Sequence, residues 1–127
     1  MKFLCSIIRN LFGLPVAEGN YAATVIDVSV KRLKSKRLSM VKIKFLLEDV
    51  ETGEKITHNE TFIDNFYLLR CRDLMWFLES NGIVYADYFD LVGALFDVAI
   101  IHDCICGKKV PVMIYNDVIT PPPSVFD

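Results

Sequence analysis

Seven basic side chains crowd residues 28–47: Lys31, Arg32, Lys34, Lys36, Arg37, Lys42 and Lys44, with no Asp or Glu between them. Ammonium and guanidinium groups at this density neutralise the phosphates of a polyanion and release its counterions. The rest of the chain sets seven basic residues against all sixteen acids, so a formal net charge of -2 divides into +7 here and -9 elsewhere. A local positive field of this kind attracts polyanions even to a protein that is acidic as a whole. A run such as Lys31 to Arg37 is most often a solvated loop; the absence of acids around it turns the reading toward nucleic acid.

Other residues capable of chemistry are sparser. His102-Asp103-Cys104-Ile105-Cys106 sets metal-ligand types close together, but a closed zinc site needs four ligands, and His58 or Cys71 would have to come from elsewhere. A strand end with ordinary thiols is the preferred reading, and no metal or other cofactor is expected. Cys104 and Cys106 point the same way if extended, so a disulfide between them would be strained. Catalysis finds little support: there are two histidines, no nucleophile-elbow serine and no glycine-rich phosphate loop after a strand. Asp87, Asp90, Asp97 and Asp103 read as surface acids, and the chain is not expected to be an enzyme.

A chain of 127 residues, 53% hydrophobic with nine Phe and five Tyr, can bury one core without metal or disulfide support. Cys5, Cys71, Cys104 and Cys106 are irregularly spaced and read as reduced thiols of a cytoplasmic protein. Three regions are expected: an N-terminal amphipathic helix and linker over 1–18, a domain over 19–120 and a Pro-rich tail over 121–127. In the first, Leu4, Ile7, Ile8, Leu11 and Phe12 recur at helical spacing over residues 2–12. Arg9 and Asn10 cut its apolar run short of a signal peptide or a membrane span. Its apolar face suits packing on the domain or on a second copy, giving a homodimer, in preference to a membrane surface.

The elements that must position the basic residues follow from period and punctuation. Residues 21–30 are β-branched and free of Gly and Pro, which predicts a first strand. Residues 40–47 alternate, with Val41, Ile43, Phe45 and Leu47 on one face and Lys42 and Lys44 on the other. A third strand is predicted over 55–63, with Thr57, Asn59 and Thr61 on one face. The other mixes Ile56 and Phe62 with His58 and Glu60, leaving its phase open. A helix over 66–80 is predicted, capped by Asp64 or Asn65 and stopped by Asn81-Gly82. On it Trp76 reads as a core or dimer anchor. Strands over 91–101 and 110–119 follow, and Pro111 puts the start of the last at a sheet edge or bulge. Pro121-Pro122-Pro123 ends the fold.

Three strands, a helix and two strands is the order of an OB-fold, a small five-stranded barrel, so the expected class is mostly β with one capping helix. Gly19-Asn20-Tyr21, Met40-Val41-Lys42-Ile43-Lys44-Phe45, Leu74-Met75-Trp76-Phe77-Leu78-Glu79-Ser80-Asn81-Gly82, Leu91-Val92-Gly93 and Gly107-Lys108-Lys109 add a likeness over about residues 19–120. Together they resemble small single-stranded-DNA-binding-like proteins of phages and integrated mobile elements. The resemblance implies non-catalytic binding of single-stranded DNA or RNA across strands two and three and two flanking loops, Lys31 to Ser39 and Asp103 to Lys109. It adds Lys108 and Lys109 to the candidate site. The departure is aromatic: single-strand binders stack bases on rings, whereas the face of Lys42 and Lys44 has none, and Tyr21 and Phe62 read as core. Binding is therefore expected to be phosphate-led and tolerant of sequence. OB-folds also bind proteins, so the alternative is a protein-interaction module of the same fold. The tail's Phe126 and Asp127 resemble faintly the tips with which bacterial single-strand-binding proteins dock a host replication or recombination protein.

Overall fold

A computed structural model describes residues 16–32, 38–65, 72–85, 87–105 and 107–123. The expected helix over 2–12, the side chains of Lys34, Lys36 and Arg37, Cys5, Cys71 and Cys106, and the end of the tail at Ser124 to Asp127 lie outside the described residues. The described residues form five strands: β1 (Gly19–Arg32), β2 (Leu38–Asp49), β3 (Lys55–Asn65), β4 (Leu95–Ile105) and β5 (Lys108–Thr120). Among the described residues an α-helix, α1 (Arg72–Ser80), and a 3-10 turn at Tyr88–Leu91 lie between β3 and β4. All neighbours pair antiparallel in one sheet of order β3-β2-β1-β4-β5. In place of the closed barrel that the element order implies, the sheet is open, because no ladder joins β3 to β5 among the described residues.

β2 is the strand whose pattern is strongest, and Val41, Ile43, Phe45 and Leu47 are fully buried. β1 joins the same core through Tyr21, Ala23 and Val25, then through Val28 after a bulge that lets the register slip between Val25 and Asp27. Phe96, Val98 and Ile100 of β4 and Met113 of β5 complete the sheet's contribution. On β3 the open question of phase is answered: Ile56, His58, Glu60 and Phe62 turn inward and are half-buried, while Thr57, Asn59 and Thr61 are exposed.

α1 covers the inner face through Leu74, Phe77 and Leu78, the i, i+3, i+4 set of an amphipathic helix. Phe77 stacks on Tyr115 at 5.4 Å between centroids and meets Phe96 edge-on at 5.3 Å. The helix ends at Asn81-Gly82 as expected: Ile83 N–H donates to the Leu78 carbonyl at 2.9 Å and Gly82 N–H to that of Glu79 at 3.0 Å. That pair of bonds is a Schellman cap, and it requires the positive φ of 70° that Gly82 adopts.

One boundary and one burial differ from expectation. Asp64 and Asn65 end β3, paired with Ser39 and Leu38, and the expected helix start at 66, with its cap, lies outside the described residues. Leu91 to Ala94 are not strand. Asp87 accepts from Phe89 N–H at 3.1 Å, its own N–H donates to Asp90 at 3.0 Å, and this capping box winds Tyr88–Leu91 into a 3-10 turn. Gly93 follows at φ 97°, and Pro123 packs so closely against it that an added Cβ would lie 3.0 Å from the ring. The expected core role of Trp76 fails: it is 76% exposed, because it sits two residues from Leu74, on the far side of a helix that turns 3.6 residues per revolution. Pro111 lies, as expected, on an edge strand, one that among the described residues pairs with β4 alone. Among the described residues no helix is long and apolar enough to cross a membrane.

Truncating Phe45 should therefore cost far more than truncating Trp76. Phe45→Ala is expected to lower unfolding free energy by about 3–5 kcal/mol, and Trp76→Ala to change it by less than about 0.5 kcal/mol, read by urea denaturation followed by far-UV circular dichroism.

Candidate nucleic-acid interface

The strand register decides which basic residues meet. On the outer face of β1, β2 and β3, Lys42 lies between Ser29 of β1 and Thr61 of β3, and Lys44 lies between Asp27 and Asn59. All six side chains are exposed. Lys31 continues the same face one row on, opposite Met40, which in turn faces Ile63. Two rows thus run across three adjacent strands, one with Lys42 between two hydroxyls and one with Lys44 between a carboxylate and an amide, and Met40 and Ile63 form an apolar margin 38% and 40% exposed.

The β1 bulge creates this arrangement. Unbroken alternation from the buried Val25 would send Asp27 inward and Val28 outward. Ile26 is instead the extra residue, so Asp27, Ser29 and Lys31 face out and Val28 faces the core. Arg32 consequently parts from Lys31: it is exposed opposite Ser39, in phase with Val28 and Val30. Asp27 is the residue that sequence reasoning missed, an acid set directly across from Lys44. The charge split alone could not reveal it, because nothing in the run of residues 21–30 marks the bulge.

Lys108 and Lys109 open β5, opposite Ile105 and Cys104, and Lys109 is exposed. Their turn lies beyond the Gly19 end of β1, since Gly19 pairs with Ile100, whereas Lys31 and Arg32 end that strand. The ladders therefore join Lys31, Lys42 and Lys44 on one face and set Lys108 and Lys109 at the other end of the sheet. Between them the outer face turns acidic, with Asp97 of β4 opposite Asp117 of β5.

No aromatic side chain lies on the outer face of β1, β2 or β3 among the described residues. Tyr21 is buried, and its hydroxyl donates to the Ala17 carbonyl at 2.8 Å. Phe62 packs edge-on to Tyr88 at 5.6 Å. Both are core, as expected, and neither is placed to stack on a base. Of the histidine and cysteine cluster, His102, Asp103 and Cys104 lie on β4. His102 Nε2 lies 2.6 Å from the Val16 carbonyl oxygen and Nδ1 3.8 Å from Glu18, while Cys104 is exposed. Among the described residues no three His, Cys, Asp or Glu side chains are grouped to hold a metal ion. Asp87 and Asp90 are engaged in their turn.

Because Lys42 and Lys44 project from the sheet without supporting the core, Lys42→Gln with Lys44→Gln should leave the thermal midpoint within about 2 °C of the parent, a surface effect of at most about 0.5 kcal/mol. A larger fall in a calorimetric scan would mean that these side chains hold the sheet together.

No protein-family model, curated protein or solved structure matches this chain significantly.

Proposed function

We propose that this chain binds single-stranded DNA or RNA non-catalytically through the outer face of β1, β2 and β3, as a cytoplasmic accessory protein of a phage or mobile element. The observation that carries the reading is the pair of rows Ser29-Lys42-Thr61 and Asp27-Lys44-Asn59. Ammonium groups supply the charge that phosphates need, and hydroxyl and amide groups beside them donate hydrogen bonds to phosphate oxygens. The strand order supports an OB-fold relationship: β3 and β5 are the two edges, and an OB barrel, which is partly open in this fold, binds oligonucleotides on the face of strands two and three.

Without rings to stack on, the complex draws on phosphate contacts, so it is strongly salt-dependent and nearly indifferent to base sequence. Lys34, Lys36 and Arg37, which follow Lys31 and Arg32 in the sequence, add to the positive charge of this region, and Asp27 tempers it at Lys44. The tail's contact with a host replication or recombination protein belongs to the same reading. A second reading, a protein-interaction module of this fold, is favoured by one specific feature, an apolar cleft between α1 and β5.

Fluorescence anisotropy with labelled oligothymidylate across a salt series tests the proposal. Lys42→Glu with Lys44→Glu, and separately Lys34→Glu with Lys36→Glu and Arg37→Glu, should weaken binding equally for all sequences. The slope of log affinity against log salt should flatten by about 0.7 for each phosphate that is no longer neutralised. Asp27→Ser should do the reverse and tighten binding a few-fold at low salt, as removal of one like charge from the phosphate's surroundings requires. Affinity and slope unchanged in both charge-reversed proteins would transfer the reading to protein interaction.

A further inference from the structure

β5 stands at one edge of the sheet, and among the described residues it pairs with β4 alone. Beside it a cleft of about 410 Å³ opens against α1, lined by Trp76 and Ser80 on the helix and by Val112 to Asn116 on the strand. No lining residue is charged. Trp76 is 76% exposed, Ile114 41% and Ile101, which pairs with Val112, 39%. An exposed apolar strand edge of this kind is a template for pairing with another strand.

This edge is complementary to itself. From Val110 to Asn116 it has no charged residue; Lys109 stands at one end of the run and Asp117 at the other, and both are exposed. Met113 is midway, four residues from each. A second copy of β5 laid antiparallel about Met113 therefore brings the Lys109 end of each chain beside the Asp117 end of the other, at both ends of the seam. A parallel copy would instead set lysine by lysine and aspartate by aspartate, which is unfavourable. Between the charges apolar residues meet, Val112 of each chain opposite Ile114 of the other. The strand's own irregularities confine the register: Pro111 has no N–H to donate, and Asn116 is skipped in the step from Val98–Tyr115 to Asp97–Asp117.

We propose that two copies of this chain pair antiparallel along the edges of β5 remote from β4, forming one sheet continuous across a twofold axis. Trp76 of each copy lines the cleft beside that edge, so the indole comes to lie against the added strand, and neither β5 remains an edge. Nothing in this seam depends on the nucleic-acid reading, since Lys42 and Lys44 lie on β2, which β1 and β4 separate from β5.

Sedimentation velocity of the full chain from about 1 to about 100 μM, where weak interfaces associate, tests the seam, with the emission of the single tryptophan read on the same samples. The parent is expected to pass from monomer to dimer as concentration rises while its emission shifts to the blue. Asp117→Lys sets lysine beside lysine at both ends and should weaken association at least about tenfold. Lys109→Asp added to it restores opposite charges and should return the dissociation constant to within about threefold of the parent's. Ile114→Glu should abolish the dimer; each variant is checked for a cooperative melt, and the two charge variants, at exposed positions, remain decisive if Ile114→Glu unfolds. A parent still monomeric at about 100 μM overturns the proposal. So does a dimer that Asp117→Lys leaves as tight as the parent's, or one that the double exchange fails to restore, since its contact then lies elsewhere on the chain.

Discussion

The bulge at Ile26 is the constraint on which the rest of the sheet depends. It is tied to the turn before β4: Val25 N–H donates to the Ala94 carbonyl at 2.9 Å, and Gly93 N–H donates to the Val25 carbonyl at 2.8 Å. On the Gly19 side of this junction β1 pairs with both β2 and β4; past it, β1 pairs with β2 alone. The positive φ at Gly93 and the close approach of Pro123 belong to the same junction. One extra residue thus lets a fourteen-residue strand serve two neighbours and changes which of its side chains face solvent. Removing it would turn Val28 to solvent and Asp27 to the core, costing both an apolar burial and the desolvation of a carboxylate.

How much of this arrangement is legible in the sequence follows from the same physics. β2 can be read outright, because strict alternation of Val41, Ile43, Phe45 and Leu47 with lysines has only one interpretation when one face is buried. The stop at Asn81-Gly82 is equally plain, since only a residue tolerant of positive φ closes a helix in that way. The phase of β3 is not, because His58 and Glu60 occupy inward positions that hydrophobicity would assign to solvent. They sit on an edge strand, half-buried, with His58 Nε2 3.6 Å from Glu60 Oε1. The start of β4 is misplaced by pattern because Leu91 and Val92 look like strand, and only the Asp87 and Asp90 capping box reveals the turn. Of the candidate site, the lysines are legible from charge alone; their neighbours Ser29, Asn59 and Thr61, and the opposing Asp27, require the register.

An outer face so arranged divides by sign along the strand order. β2 carries Lys42 and Lys44, whereas the same face of β4 and β5 carries Asp97 and Asp117. The division is one of excess, since Asp27 of β1 and Glu48 of β2 share the face of the lysines, and the two parts are separated by distances comparable to the Debye length of about 8 Å at physiological salt.

The two edges of the open sheet are managed by different means. β3 sets His58 and Glu60 between Ile56 and Phe62 on its inner face and turns Thr57, Asn59 and Thr61 outward, so a strand docking there would find no continuous apolar row on either face. β5 has Pro111, which lacks an N–H, but from Val112 to Ile114 it is apolar, the kind of edge that recruits other strands. Polar chemistry protects the first edge from within its own sequence. The second edge has no such polar break in its central residues, and among the described residues α1 stands across a cleft from it. The asymmetry follows from the inner row of each strand, in which His58 and Glu60 interrupt β3 whereas Met113 of β5 is buried in the core.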